Sequence, residues 1–215
     1  MSTTAEQTPT SDAATRVAEL RELAETDVDD AARKAWAWIE ELGNRAGSDR
    51  EGAEAELDKL FALGRAPQGL DGATEGILVA PLIQPQVDRV ARAITSLWMP
   101  WQGKSFNAAA GRGDNRLTGE TRWIAKLLWP LYGTKEGDQG ERLAFDFETR
   151  VEPGMLDPDT EVLVIDYAPV DDNPRLIIKS IRDELVEIVP GANLGKILYR
   201  RGGSYRNIGF FALRS

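Results

Sequence analysis

Charged side chains set within otherwise apolar stretches are where this sequence carries its chemistry. Between Glu161 and Arg201 the chain reads EVLVIDYAPVDDNPRLIIKSIRDELVEIVPGANLGKILYRR, and Asp166, Lys179, Arg182, Asp183, Glu184 and Lys196 stand among Val, Ile and Leu rather than in loops. A carboxyl group desolvated in such surroundings has a raised pKa and can act as general acid or base, while an arginine can offer its planar donors to a ligand carboxylate. The earlier stretch WMPWQGKSF, Trp98 to Phe106, adds an aromatic start and a Gly-Lys pair. Together they nominate Asp166, Arg182, Glu184 and Tyr199, with Trp101 and Lys104, as ligand-binding residues. Alternation along the chain places Lys179, Asp183 and Glu187 on a solvated face. An alternative stays open for Arg182, Asp183 and Glu184: an outer face, where they would pair across strands with Asp146, Glu148, Arg150 and Lys179.

Composition removes most catalytic classes. With no Cys there is no thiolate nucleophile, disulfide or zinc finger, and with no His there is no proximal-His haem, His-ligated zinc or Ser-His arrangement. Composition leaves only an all-carboxylate metal site or catalysis by Asp, Glu, Lys, Tyr and Arg, and neither metal nor cofactor is expected. The excess of 35 acidic over 26 basic residues, a net charge of -9, argues against non-specific nucleic-acid binding, which needs a positive field to displace counterions. The N-terminus MSTTAEQTPTSDAA is polar and lacks the basic start and apolar core of a signal peptide. The longest apolar run, GILVAPLI, is far short of the roughly 20 residues that span a bilayer, so a cytoplasmic protein without a membrane span is expected.

The positioning elements follow from periodicity. Residues 1–14 read as a disordered tail, residues 15–66 as a helical arm and residues 67–215 as an antiparallel barrel. In the arm, Val17, Leu20, Leu23 and Ala24 share a face, as do Ala32, Ala35, Trp36, Ile39 and Leu42, and Ala53, Leu57, Leu60 and Phe61 form a third stripe. Thr26 with Asp29 and Ser48 with Glu51 have the spacing of capping boxes. Trp36 and Trp38 are read as packing residues, and the arm also offers a face for a homo-oligomer. GILVAPLI reads as a strand ended by Pro81 or Pro85. Short helices are expected over 86–98 and from Thr121 to before Pro130. Arg112-Gly113-Asp114 has the letters of an adhesion tripeptide and no other mark of one.

From Arg142 the strand signal dominates. Leu143, Phe145, Phe147, Thr149 and Val151 alternate with Ala144, Asp146, Glu148 and Arg150, which makes one face core and the other wet. Residues 175–189 show no clean parity, so a long bent strand, or one bulged near Arg182 to Glu184, is expected. The total is an α+β fold, mainly an antiparallel barrel of roughly seven or eight strands preceded by the N-terminal helical segment.

The runs WMPWQGKSF, GDNRLTG, FDFETRVEPG, VLVIDY, NPRLIIKSIRDELVEIVPG, LGKILYRR and IGFFALRS resemble a group of uncharacterised actinobacterial hypothetical proteins, over most of Leu70 to Ser215. More distantly, the Trp-Gly-Lys entry strand followed by IDY, NP, RDEL, PG and LGK is similar to lipocalin-like barrels of the calycin type. The resemblance implies a lipocalin-like barrel and brings no mechanism. Haem binding of the calycin kind uses a histidine, which this chain lacks.

A barrel of about eight strands holds one small ligand, and an interior rich in Leu, Ile, Val, Phe and Trp suits an apolar or amphipathic one. The expected function is therefore an intracellular binding protein for such a ligand. Two alternatives remain: an isomerase or cyclase without metal or cofactor, using Asp166 or Glu184 with Tyr167, Tyr199 or Lys104, and an oligomeric interaction protein with a filled barrel.

Overall fold

Among the described residues three amphipathic helices come first: α1 (Ala13–Ala24), α2 (Val28–Arg45) and α3 (Arg50–Ala62). The computed structural model describes residues 13–82, 101–118, 133–137, 140–175 and 177–215. The helix α1 begins two residues inside the expected tail. The helices expected over 86–98 and from Thr121 to before Pro130 lie outside the described residues. Capping falls one residue later than the spacing suggested. The carboxylates of Asp27 and Asp49 accept hydrogen bonds from the backbone N–H of Asp30 and Gly52, and aspartate is as good a cap as the serine or threonine before it. None of the helices among the described residues is long and apolar enough to cross a membrane.

Among the described residues ten strands follow in one antiparallel sheet: β1 (Gly72–Ala73), β2 (Glu75–Pro81), β3 (Trp101–Asn107), β4 (Arg112–Leu117), β5 (Lys135–Glu136), β6 (Arg142–Pro153), β7 (Glu161–Asp166), β8 (Ile181–Val189), β9 (Ala192–Arg201) and β10 (Ser204–Arg214). Their order is β1-β3-β4-β6-β7-β8-β9-β10-β2, with β5 added beside β6. The number exceeds the expected seven or eight because β1 and β5 are two-residue strands in polar, glycine-containing segments that have no alternation to read.

The two ends of that order are one piece of chain. Only Thr74 separates β1, which pairs with β3, from β2, which pairs with β10. The Thr74 N–H donates to the Lys104 carbonyl at 2.8 Å, and its hydroxyl accepts from the Lys104 N–H at 3.2 Å. The sheet thus returns on itself as a nearly closed barrel. Closure demands a close approach at Gly103, where φ is +140° and an added Cβ would lie 2.2 Å from the Thr74 carbonyl oxygen.

Closing the sheet gives it two apolar faces. Outside, Val162, Val164, Val186, Ile188, Leu194 and Phe210 pack against the helices, meeting Leu20, Trp36, Ile39, Leu42, Leu57 and Phe61. Inside, Phe106, Phe147, Ile165, Leu185, Ile197 and Phe211 fill the lumen. Trp36 and Trp38 are buried in the outer core, with the guanidinium groups of Arg214 and Arg16 at 4.8 and 4.3 Å from their ring centres. Their role is packing, as the helical spacing predicted.

This double burial explains why residues 175–189 had no readable parity: β8 is covered on both faces. Its strand is shorter than expected, since Ile178–Ser180 form a tight helical turn entered through Ile177 at φ +74°. The register irregularity falls at Glu187/Val189 rather than near Arg182 to Glu184. The expected alternation of β6 also breaks. Phe145 adopts φ +55° at a register shift, where Asn115 faces Ala144 and Gly113 faces Phe147. That shift buries Ala144 on the expected wet face, while beyond it Phe147 keeps the expected core side; Val151, of the same parity, is 54% exposed near the end of the strand.

Candidate functional site

Inside the barrel a cavity of about 70 Å³ is lined by Leu78, Trp101, Leu117, Phe145, Ile178 and Ile181, with Ile197 and Phe211 beyond them. Four polar residues share that wall: Lys104 from β3, Asn115 from β4, Tyr167 just after β7, and Asp183 from β8. Strand parity brings them together. Asp183 stands opposite Ile165 and Ile197 in the register, between Ile181 and Leu185 on its own strand, and all four of those side chains face the lumen.

The cluster is tightly bonded. The Lys104 ammonium donates to Asn115 Oδ1 at 2.8 Å, Tyr167 Oη at 2.6 Å and Asp183 Oδ2 at 2.9 Å. The Tyr167 hydroxyl donates to the same Asp183 oxygen at 2.8 Å. The Asn115 amide nitrogen donates to the Phe145 carbonyl and to Tyr167 Oη, each at 3.2 Å, and its oxygen accepts from Trp101 Nε1, also at 3.2 Å. The unusual backbone of Phe145 therefore does two things: it directs the ring to the cavity wall and its carbonyl to Asn115. Rings of Trp101, Phe147, Tyr167 and Phe211 surround the ammonium with centres 5.3 to 5.7 Å away.

Electrostatics follow from the burial. Desolvation pushes the Lys104 pKa down, and the Asp183 charge and hydrogen bond oppose that shift. Tyr167 is driven well above the usual phenol range, first by burial and then by the Asp183 charge, so it stays a neutral donor. A buried ion pair of this kind is not the cheapest way to fill a barrel, because desolvation offsets most of the Coulombic gain.

The six nominated residues divide between the two faces. Trp101 and Lys104 border the cavity, and Tyr199 is half-buried against the inner cluster. Asp166, Arg182 and Glu184 lie on the outer face. There Arg182 pairs with Glu184 at 2.7 Å and with Glu152, while Asp166 accepts from Arg150 at 2.9 Å. Glu184 Oε1 also accepts from the Met155 N–H at 2.9 Å, which ties down the loop after β6. The outer face raised as an alternative for Arg182 and Glu184 is thus observed, but with Glu152 and Glu184 as the partners of Arg182 in place of the cross-strand partners expected, and the carboxyl groups of Asp166 and Glu184 have no access to the lumen. Lys196 is outward too, held by Asp58 and Asp157 at 2.7 and 2.8 Å above the Phe61 ring. Conversely Asp183, read as part of a solvated face, is 4% exposed and sits at the centre of the inner cluster. A signal for it existed: it is a lone charge between Ile181 and Leu185, two apolar residues of its own parity. Asn115 had no comparable signal.

A second group of titrating residues lies on the outer side of β4 to β6, where Asp114, Asp146 and Lys135 meet. Burial, then a hydrogen bond and like charge from Asp146, raise the Asp114 pKa to about 6, against the pull of Lys135. Asp146 is lowered, because hydrogen bonds to Asp114 and Lys135 outweigh the upward effect of its burial. Unfolded, Asp114 ionises near 3.8, so between there and about 6 the native state binds the extra proton and stability falls as pH rises. The Asp146 contribution is lost only below 3.8, outside that window. Glu152, lowered from 4.5, makes its full contribution above that pH, so urea midpoints measured from about 4.5 to 6 should decline for the wild type and stay level for Asp114→Asn; parallel slopes would show that Asp114 does not hold the proton. Among the described residues no three acidic side chains are grouped to hold a metal ion.

Comparison with known proteins adds little to this geometry. No protein-family model and no curated protein matches the chain. Among solved structures it is similar to one described as "Crystal structure of protein from Thermomonospora curvata", at 15% sequence identity and a TM-score of 0.44, over 82% of this chain and 96% of that one. A likeness at this level carries no functional argument, and the resemblance to actinobacterial proteins and to calycins gains no family match.

Proposed function

We propose that this chain binds a small, largely apolar molecule bearing one polar group, held in the barrel lumen above Lys104, Tyr167 and Asp183, in the manner of a lipocalin-like barrel. The observation that carries the reading is a buried Lys-Asp pair set against an apolar cavity. Apolar side chains of similar volume would hold the barrel together as well or better, so a polar floor has its use in orienting a guest. By the volume a buried water needs, the cavity of about 70 Å³ takes roughly five waters, and because it opens to the outside a ring larger than that volume extends through its mouth.

The Trp101 indole N–H, bonded to Asn115 at the cavity wall, is the reporter. Titration with a methyl-substituted benzene derivative, followed by heteronuclear NMR, should give a saturable shift of that resonance. Leu78→Trp, which fills the cavity from β2, should remove the shift while the rest of the spectrum stays dispersed. Native mass spectrometry of freshly purified protein should show a bound small molecule in the wild type and none in Leu78→Trp. Equal responses from the two proteins would sink the reading.

A further inference from the structure

The lone lysine in an apolar lumen suggests at first an anchor for an anionic ligand. Counting the hydrogen bonds reverses that expectation. An ammonium has three donors, and those of Lys104 are engaged by Asn115, Tyr167 and Asp183. The Tyr167 proton goes to Asp183. Asn115 uses both amide hydrogens and accepts twice, and the Trp101 N–H is given to it. One valence is left. Asp183 Oδ2 accepts from both Lys104 and Tyr167, but Oδ1 is buried and has no partner among the described residues. Asp183 borders the cavity and is 4% exposed, and since no group among the described residues donates to that oxygen, the lumen is the nearest described source of a donor for it.

We infer that the lumen selects ligands that donate a hydrogen bond to Asp183 Oδ1, alcohols, phenols or N–H compounds, over anions or pure acceptors of the same size. This rests on the lumen being a ligand site. A carboxylate guest would face Asp183 across a dry cavity and compete for an ammonium whose bonds are all in use, and both effects count against it. A phenol completes the one open acceptor and buries its ring among Trp101, Phe145 and Phe211.

The test is a matched set of probes on the full chain, read at the Trp101 indole resonance: para-cresol, para-methylanisole and para-toluate. A hydrogen bond to a charged acceptor predicts that para-cresol binds about tenfold or more tightly than para-methylanisole, with no saturable binding of para-toluate. In Asp183→Asn the amide oxygen keeps the bonds from Lys104 and Tyr167, which puts the amide N–H groups where Oδ1 stood. The preference should then reverse toward para-methylanisole. Equal affinity of cresol and methylanisole, or tightest binding of toluate, overturns the selectivity and leaves binding in the lumen intact. No saturable binding of any of the three overturns both. Should Asp183→Asn fail to fold, the three probes on the wild-type protein decide alone.

Discussion

Lys104→Met should lose about 3–5 kcal/mol of folding free energy, the usual cost of leaving one member of a buried ion pair without its partner. The substitution removes three hydrogen bonds at once and strands Asp183 beneath a ring of aromatics. The informative comparison is the double variant Lys104→Met/Asp183→Leu. With both charges gone the desolvation penalty goes too, and the adjacent cavity gives the new methyl groups room, so its stability should return to wild type or exceed it by up to about 4 kcal/mol. Urea unfolding of the three proteins measures this directly. Recovery in the double variant, together with loss of probe binding, would mean that the pair is kept for what it holds rather than for the fold. A double variant as unstable as the single one would mean that the network itself is structural.

Arg182→Met should be comparably destabilising, by about 3–5 kcal/mol, yet leave binding in the lumen unchanged. Glu184 is fully buried, and its charge is answered by Arg182 and by the Met155 N–H alone among the described residues. Removing the arginine leaves that carboxylate in the outer core and loosens the loop that Met155 anchors. The same variant titrated with para-cresol, at a temperature where it is folded, should give the wild-type affinity. A weakened affinity without local unfolding would return Arg182 to the binding site. Asp166→Asn is the contrasting case: its partner Arg150 is exposed, and a surface pair of this kind contributes about 0–1 kcal/mol.

These two experiments turn on adjacent residues of β8 with opposite fates. Arg182 and Glu184 were legible as unusual because charges in an apolar run are rare, but the side of the sheet they face was not. In a barrel with one wet face, alternation would have assigned them. Here helices cover the outer surface, both faces read as apolar, and the period of two loses its meaning. The bulges in β3 and β6 add a further offset, because each shifts parity by one residue: Trp101 and Lys104 share the lumen although their spacing in sequence is odd.

The sequence by itself determined the exclusions and the architecture in outline: absent His and Cys rule out whole classes of chemistry through the residue types they require, and three helical stripes followed by short alternating runs require helices before an antiparallel sheet. It also marked Trp101 and Lys104 through an aromatic-Gly-Lys entry strand. Only the tertiary structure decided that Asn115, Tyr167 and Asp183 join them. Those residues come from strands 11 to 79 positions away from Lys104 in the chain, and what brings them within hydrogen-bonding distance is ring closure through Thr74. Closure depends on register and on which face turns inward, properties of strand pairs rather than of any single strand, and no local pattern encodes them.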